Sequence, residues 1–122
     1  WIVTCERENR LVGYAVFVRQ DNKTIGLRRA VLADMQSLND DAEVLRQLFL
    51  AGHSECRNRK IGVLEAVGQA QSKRHLLQQL RPRKRKFPTW PYLYKARGKQ
   101  LATALSGPDG WDLGPIDGDA SL

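Results

Sequence analysis

The stretch Asn9-Arg10-Leu11-Val12-Gly13-Tyr14-Ala15-Val16-Phe17-Val18 decides how the rest of the chain is read. Val12, Tyr14, Val16 and Val18 alternate with Leu11, Gly13, Ala15 and Phe17, so both sides are largely apolar, the pattern of a strand covered on both faces. Upstream, Ile2 to Cys5 is a shorter strand, and the polar Glu6-Arg7-Glu8-Asn9-Arg10 separates the two as a turn. Downstream, Gln20-Asp21-Asn22-Lys23 is the next turn, and a third strand is expected from about Thr24 to Leu38. Its alternation shifts phase at Arg28-Arg29, from Ile25 and Leu27 to Ala30 and Leu32, which predicts a β-bulge there.

After this meander the period changes from two to between three and four. Asn39, Asp40 and Asp41 offer capping oxygens, and Glu43 adds negative charge to a first helical turn. Val44, Leu45, Leu48, Phe49, Gly52 and Cys56 then line one face of a helix ending in Arg57, Arg59 and Lys60, cations suited to a helix C-terminus. Ile61 to Val67 reads as a short buried strand, so strand, long helix and strand form a βαβ crossover. Ser72 to Leu80 predicts a second helix with Leu76, Leu77 and Leu80 inward, Trp90 to Ala96 a strand, and Gln100 to Leu105 a brief helix stopped by Gly107-Pro108.

The chain has 122 residues, 42% hydrophobic and 27% charged, ordinary globular values that exclude a disordered tail or a disulfide-stapled miniprotein. No apolar run approaches the ~20 residues of a membrane span. The expectation is one soluble α/β domain over residues 1–108, with an irregular acidic tail over 109–122 packed on it. The opening at Trp1, without an initiator Met, leaves two alternatives, a natural start or a fragment boundary. Cys5 and Cys56 fit no zinc or redox spacing, which points to free thiols in a reducing, cytoplasmic setting.

Charge is unevenly placed. Net charge is +7, yet residues 1 to 65 are almost balanced, with ten basic and nine acidic side chains. From Ala66 to Pro108 there are ten Lys or Arg and no Asp or Glu, whereas Asp109 to Leu122 carries four Asp and no basic residue. The densest run, Arg81-Pro82-Arg83-Lys84-Arg85-Lys86, is an exposed loop because like charges repel and proline prevents regular helix. It reads as a solvated connection or as a phosphate-binding surface, and residues 73–99 form a candidate nucleic-acid contact.

Trp1-Ile2-Val3-Thr4, followed by Asn9 to Val16 with its Gly13-Tyr14-Ala15, resembles the central hairpin of the GNAT (GCN5-related N-acetyltransferase) superfamily. The resemblance covers about residues 1 to 97 and rests also on the order of hairpin, long strand, helix and strand. It implies a partial acyl-CoA N-acyltransferase fold, a mixed and mainly antiparallel sheet flanked by helices and lacking the family's first strand and paired helices. It further implies transfer of an acetyl or other acyl group from acyl-CoA to a small-molecule or protein amine. The co-substrate would lie where the segments Ala30 to Leu38 and Ile61 to Val67 splay apart, with backbone groups near Met35, Gln36 and Ser37 against the pantetheine arm. Where the family has a Gly-rich, Arg-bearing loop for the pyrophosphate, this chain reads Ser37-Leu38-Asn39-Asp40-Asp41-Ala42-Glu43, without glycine and with three carboxylates. Two alternatives follow: Arg28, Arg29 or the basic run takes the phosphates, or coenzyme A is not bound.

Candidate chemistry falls on few residues. Glu65, on the strand after the long helix, and Asp34, on the strand before it, are the candidate bases for an attacking amine, with Arg28 or Arg29 as the cation an interior acid requires. The family's general-acid tyrosine has no counterpart between Gln69 and Leu80, where His75 is the nearest titratable group. His53 and Cys56 share a helical spacing but lack further ligands, so no metal site is expected. Trp90, Tyr92 and Tyr94 are a core strand face or a base-stacking platform. Trp111 and Ile116 would pin the tail, and Asp112, Asp117 and Asp119 lack calcium-loop spacing. Two further classes stay open: a non-catalytic polyanion or nucleic-acid binding module, and a homodimer in which a second copy covers the open sheet edge.

Overall fold

Glu8 and Asn9 both take positive φ, 51° and 60°, and close the first hairpin as a two-residue turn whose twist matches its strands. The computed structural model describes residues 1–86, 95–107 and 111. β1 (Ile2–Arg7) pairs antiparallel with β2 (Arg10–Arg19), β2 pairs antiparallel with β3 (Arg29–Ser37), and β3 pairs in parallel with β4 (Val63–Ala66), giving the order β1-β2-β3-β4. α1 (Ala42–Asn58) links β3 to β4. The sheet and α1 belong to one compact unit, Trp1–Gln69. A second unit, Ala70–Asp112, contains α2 (Gln71–Gln79) and α3 (Lys99–Ala104).

The third strand starts later than its β-rich composition predicts. Asn22 caps a short 3-10 turn, Lys23–Ile25, by accepting from the Thr24 N–H, and Gly26 follows at φ 64°. Asn22 and Leu27 form a single bridge, so residues 20 to 28 are a tight connection. The bulge lies at Ala33, between the pairs Val16↔Asp34 and Phe17↔Leu32, and not at Arg28-Arg29, where the change of phase marks the strand's beginning.

Asp41 starts α1 by accepting from the Glu43 and Val44 N–H groups with one carboxylate oxygen. Val44, Leu45, Leu48, Gly52 and Cys56 are its buried face. Two glycines set how closely this face approaches the sheet: a Cβ on Gly52 would lie 2.0 Å from the Phe17 ring, and one on Gly13 would lie 2.7 Å from Val44. Lys60, at φ 56°, ends the helix in a left-handed turn, with the Ile61 N–H on the Cys56 carbonyl and the Lys60 N–H on that of Arg57. The chain is thereby aimed into β4. Trp1 stacks on Phe17 at 5.3 Å, and the Arg59 guanidinium lies 4.8 Å from the Trp1 ring centre.

α2 buries Leu76 and Leu77 as the spacing predicts, and with them Lys73. The strand expected from Trp90 to Ala96 falls mainly outside the described residues.

Candidate functional site

The β3–β4 ladder is short. It runs from Arg29↔Val63 to Leu32↔Ala66 and stops, while β3 continues to Ser37. Among the described residues, the part of β3 beyond the bulge pairs only with β2. The bulged Ala33 is the first residue past the last β3–β4 pair, so the extra residue and the opening coincide. Gln69, 5% exposed, stands at this point and donates from Nε2 to the carbonyls of Leu32 (3.4 Å) and Val67 (3.3 Å).

The bulge also decides which side chains share a face. Ala30 and Leu64 pack with Cys56 of α1, and Ala15, the partner of Met35, lies between Gly13 and Phe17 in the row that α1 covers. Arg29, Val31, Asp34 and Gln36 therefore lie on the other face, beside Tyr14, Val16 and Glu65. Met35, fully buried, points into the core, and only its backbone is available to a ligand along the strand.

On that second face two polar groups are spaced along β3. At the paired end, Arg29 Nη1 donates to Glu65 Oε2 at 3.3 Å, and its remaining donors reach the Gln20 carbonyl and side chain. At the open end, the Tyr14 hydroxyl donates to Asp34 Oδ2 at 2.7 Å, and Asp34 Oδ1 accepts from the Met35 N–H at 2.8 Å and from Gln36 Nε2 at 3.5 Å. Glu65 is level with Val31, so the two carboxylates are three positions apart along β3, roughly 10 Å at about 3.3 Å per residue. Asp34 thus sits at the opening itself, and Glu65 just inside the paired ladder.

The turn into α1 has its own occupant. Asp41 Oδ1 takes two of the helix's first amides, and Asp41 Oδ2 accepts from Arg7 Nη1 at 3.2 Å. The Val44 amide above all, then the Glu43 amide and the Arg7 guanidinium, hold the Asp41 carboxyl below its ordinary range against the opposing effect of desolvation. Ser37 Oγ donates to the Asp41 carbonyl at 3.2 Å. Arg28 is at the other end of β3, exposed beside a shallow pocket of about 240 Å³ formed with Asp21, Asn22, Lys23, Gly26 and Leu27. Of the residues singled out from the sequence, the structure brings Asp34, Met35, Gln36 and Ser37 to the opening, sets Glu65 beside Arg29, and leaves Arg28 remote from Ser37.

Tyr14 and Gln69 carry no signal in the sequence as site residues. Tyr14 reads as one member of an apolar alternation, and Gln69 as a residue between strand and helix. His53 is exposed while Cys56 is buried, and burial pushes the Cys56 thiol up, so this helical pair does not share an accessible face. The Trp111 indole N–H donates to the Leu105 carbonyl at 2.9 Å. Trp90, Tyr92, Tyr94, Ile116, Asp112, Asp117 and Asp119 lie outside the described residues. Among the described residues no group of three His, Cys, Asp or Glu could hold a metal ion, and no helix is long and apolar enough to cross a membrane.

No protein-family model matches the sequence, and no curated protein does. Solved structures do. One is a ribosomal-protein-alanine N-acetyltransferase from Brucella melitensis biovar Abortus 2308, at TM-score 0.64 and 14% identity over 76% of this chain and 70% of that one. Another is an aminoglycoside acetyltransferase from an uncultured soil metagenomic sample, in complex with sisomicin, at TM-score 0.65 and 11% identity over 77% of this chain and 65% of that one. The chain spans about two thirds of the length of these structures. At such identity the likeness is one of fold: a mixed α/β, GNAT-like arrangement with a four-stranded sheet.

Proposed function

We propose that this GNAT-like domain transfers an acyl group from acyl-coenzyme A to an amine at the open end of the β3–β4 ladder, with Asp34 as the base. The observation that carries the reading is the end of pairing at Leu32↔Ala66 beside the bulge at Ala33, which leaves five residues of β3 beyond the last β4 partner. An extended pantetheine arm can be held by strand backbone in such an opening as an added strand would be.

In the reaction the amine nitrogen bonds to the thioester carbonyl carbon, the carbon–sulfur bond breaks, and the sulfur leaves as thiolate. The proton lost by the amine passes to Asp34. Tyr14, the Met35 amide and Gln36 fix the orientation of that carboxylate, so little rearrangement is needed when the proton arrives. Glu65 is the second candidate, but its Oε2 is engaged by Arg29 and it lies inside the ladder.

The residues fit the thioester arm better than the diphosphate. Glu43 and Val44 N–H groups, which would otherwise meet an anion at the start of α1, are taken by Asp41. Arg28 and Arg29 stand at the far end of β3 from Ser37. Donor affinity in this reading comes mainly from the arm along β3. An amine acceptor of small size is favoured by the likeness to an aminoglycoside acetyltransferase.

Calorimetric titration with acetyl-coenzyme A tests the reading. Saturable heat and a raised melting temperature are expected, and the absence of both at millimolar ligand overturns it.

A further inference from the structure

We propose that the exposed cations of the second unit, from Arg74 to Lys86 and from Lys95 to Lys99, form a nucleic-acid contact that grips the phosphodiester backbone without regard to sequence, an activity separate from the acyl-transfer reading. Its basis is the way charge is divided between the two units. Residues 1–69 carry ten Lys or Arg against nine Asp or Glu. Residues 70–112 carry ten Lys or Arg against two acids, Asp109 and Asp112, and none of the acids falls between residues 70 and 108. Nine of these cations are exposed, all but Lys73.

The cations follow one another through three kinds of backbone. Arg74 and His75 are on the exposed face of α2. Arg81, at φ 52°, follows the Leu80 cap of α2, and every residue from 81 to 86 is exposed. Lys95, Arg97 and Lys99 then lead into α3 and are exposed as well. So many like charges within 26 residues repel one another, and a polyanion with closely spaced charges relieves that repulsion while releasing its condensed counterions.

A nucleic acid fits this surface better than an anionic membrane does. A membrane-surface helix presents apolar side chains beside its cations. On α2 the exposed positions are Gln71, Ser72, Arg74, His75, Gln78 and Gln79, with Leu76 and Leu77 buried. The run from 81 to 86 contains no large apolar residue to insert, and among the described residues of this unit Leu101 on α3 is the one large apolar side chain left exposed. Amides, guanidinium and imidazole groups are hydrogen-bonding partners for phosphate and sugar.

The test is fluorescence anisotropy of the full chain with labelled single-stranded RNA and duplex DNA, from about 50 to 200 mM salt. Steeply salt-dependent binding is expected. The variant Arg83→Glu/Lys84→Glu/Lys86→Glu should lose at least tenfold in affinity and reduce the slope of log K against log salt by about two to three, at roughly 0.7 to 0.9 per phosphate contact. The matched variant Arg10→Glu/Lys23→Glu/Arg57→Glu, with the same change of charge in the first unit, should stay within about threefold of the parent, far less than the change in slope implies for the other triple. The neutral triple Arg83→Gln/Lys84→Gln/Lys86→Gln repeats the measurement if charge reversal perturbs folding, judged by circular dichroism. No binding at low salt, equal losses in the two charge-reversal variants, or tighter binding to phosphatidylserine vesicles than to either oligonucleotide overturns the proposal.

Discussion

Tyr14 and Asp34 meet across β2 and β3 at 2.7 Å, hydroxyl to carboxylate, at the residue that follows the β3 bulge. Both are half-buried, so the bond is partly shielded from water, and a hydrogen bond to a charged group there contributes about 1.5–3 kcal/mol. Tyr14→Phe leaves the ring in place and removes the donor. Thermal denaturation should show a loss of about 1.5–3 kcal/mol, and acetyl transfer should fall about tenfold, because Asp34 loses a positioning contact. A variant that matches the parent in both measurements refutes the assigned role.

Asp34→Asn and Glu65→Gln separate the two candidate bases. Replacing the base should lower kcat/KM by about 10² to 10⁴ with the binding heat for acetyl-coenzyme A retained. The proposed reading places that loss on Asp34→Asn. Glu65→Gln, which breaks a pair with Arg29 away from the opening, should cost at most about 1 kcal/mol of stability, an ordinary value for a partly exposed pair, and change kcat/KM less than threefold. A reversed ranking would move the site into the ladder.

Asp41 gives the first unit a dependence on acidity. Its folded pKa lies below the value of an unpaired aspartate, through the Val44 and Glu43 amides and Arg7. The stabilisation is therefore present above the unfolded pKa of about 3.9 and is lost as pH falls through the lower folded pKa. Asp41→Ala should have a lower melting temperature than the parent at neutral pH, and the two curves should converge as pH falls through the folded pKa. If the gap is unchanged in acid, the cap does not act through the ionised carboxylate. The same variant frees two amides at the start of α1, so tighter acetyl-coenzyme A binding in Asp41→Ala would show that the diphosphate seeks this helix end.

The elements of the first unit were legible because period and caps agree. The alternation in Leu11 to Val18, the Asp41 cap and the face Val44, Leu45, Leu48, Gly52 and Cys56 each name one structure, while Phe49, expected on that face, is only half-buried. The site was harder to read because it depends on a single extra residue. Strict alternation along β3 groups Asp34 with Ala30 and Leu32, on the side packed by α1, whereas the bulge at Ala33 moves Asp34 and Gln36 to the face of Tyr14. Nothing about an alanine announces a bulge, so the Tyr14–Asp34 pair could not be drawn from the pattern. The connection after β2 departs from its composition for the converse reason: Thr24, Ile25 and Leu27 are strand-like residues, but the Asn22 cap and Gly26 at φ 64° fold them into a turn.

The packing of α1 on the sheet hangs on the absence of a methyl group at Gly52. A Cβ there would stand 2.0 Å from Cζ and 2.3 Å from Cε2 of Phe17, which is itself 1% exposed and stacked on Trp1. Phe17 is held from both sides and cannot swing aside cheaply, so Gly52→Ala must push the helix outward. The better helix propensity of alanine, about 1 kcal/mol, works in the opposite direction. Overpacking in a dense core costs about 1–3 kcal/mol, and with the ring sandwiched the upper part of that range applies. Urea denaturation should show a net loss of about 1–2 kcal/mol in Gly52→Ala. Phe17→Leu in the Gly52→Ala background removes the ring atoms that clash and should recover part of the loss, whereas Phe17→Leu alone should destabilise. Simple additivity of the two substitutions would show that Phe17 does not limit the approach of α1.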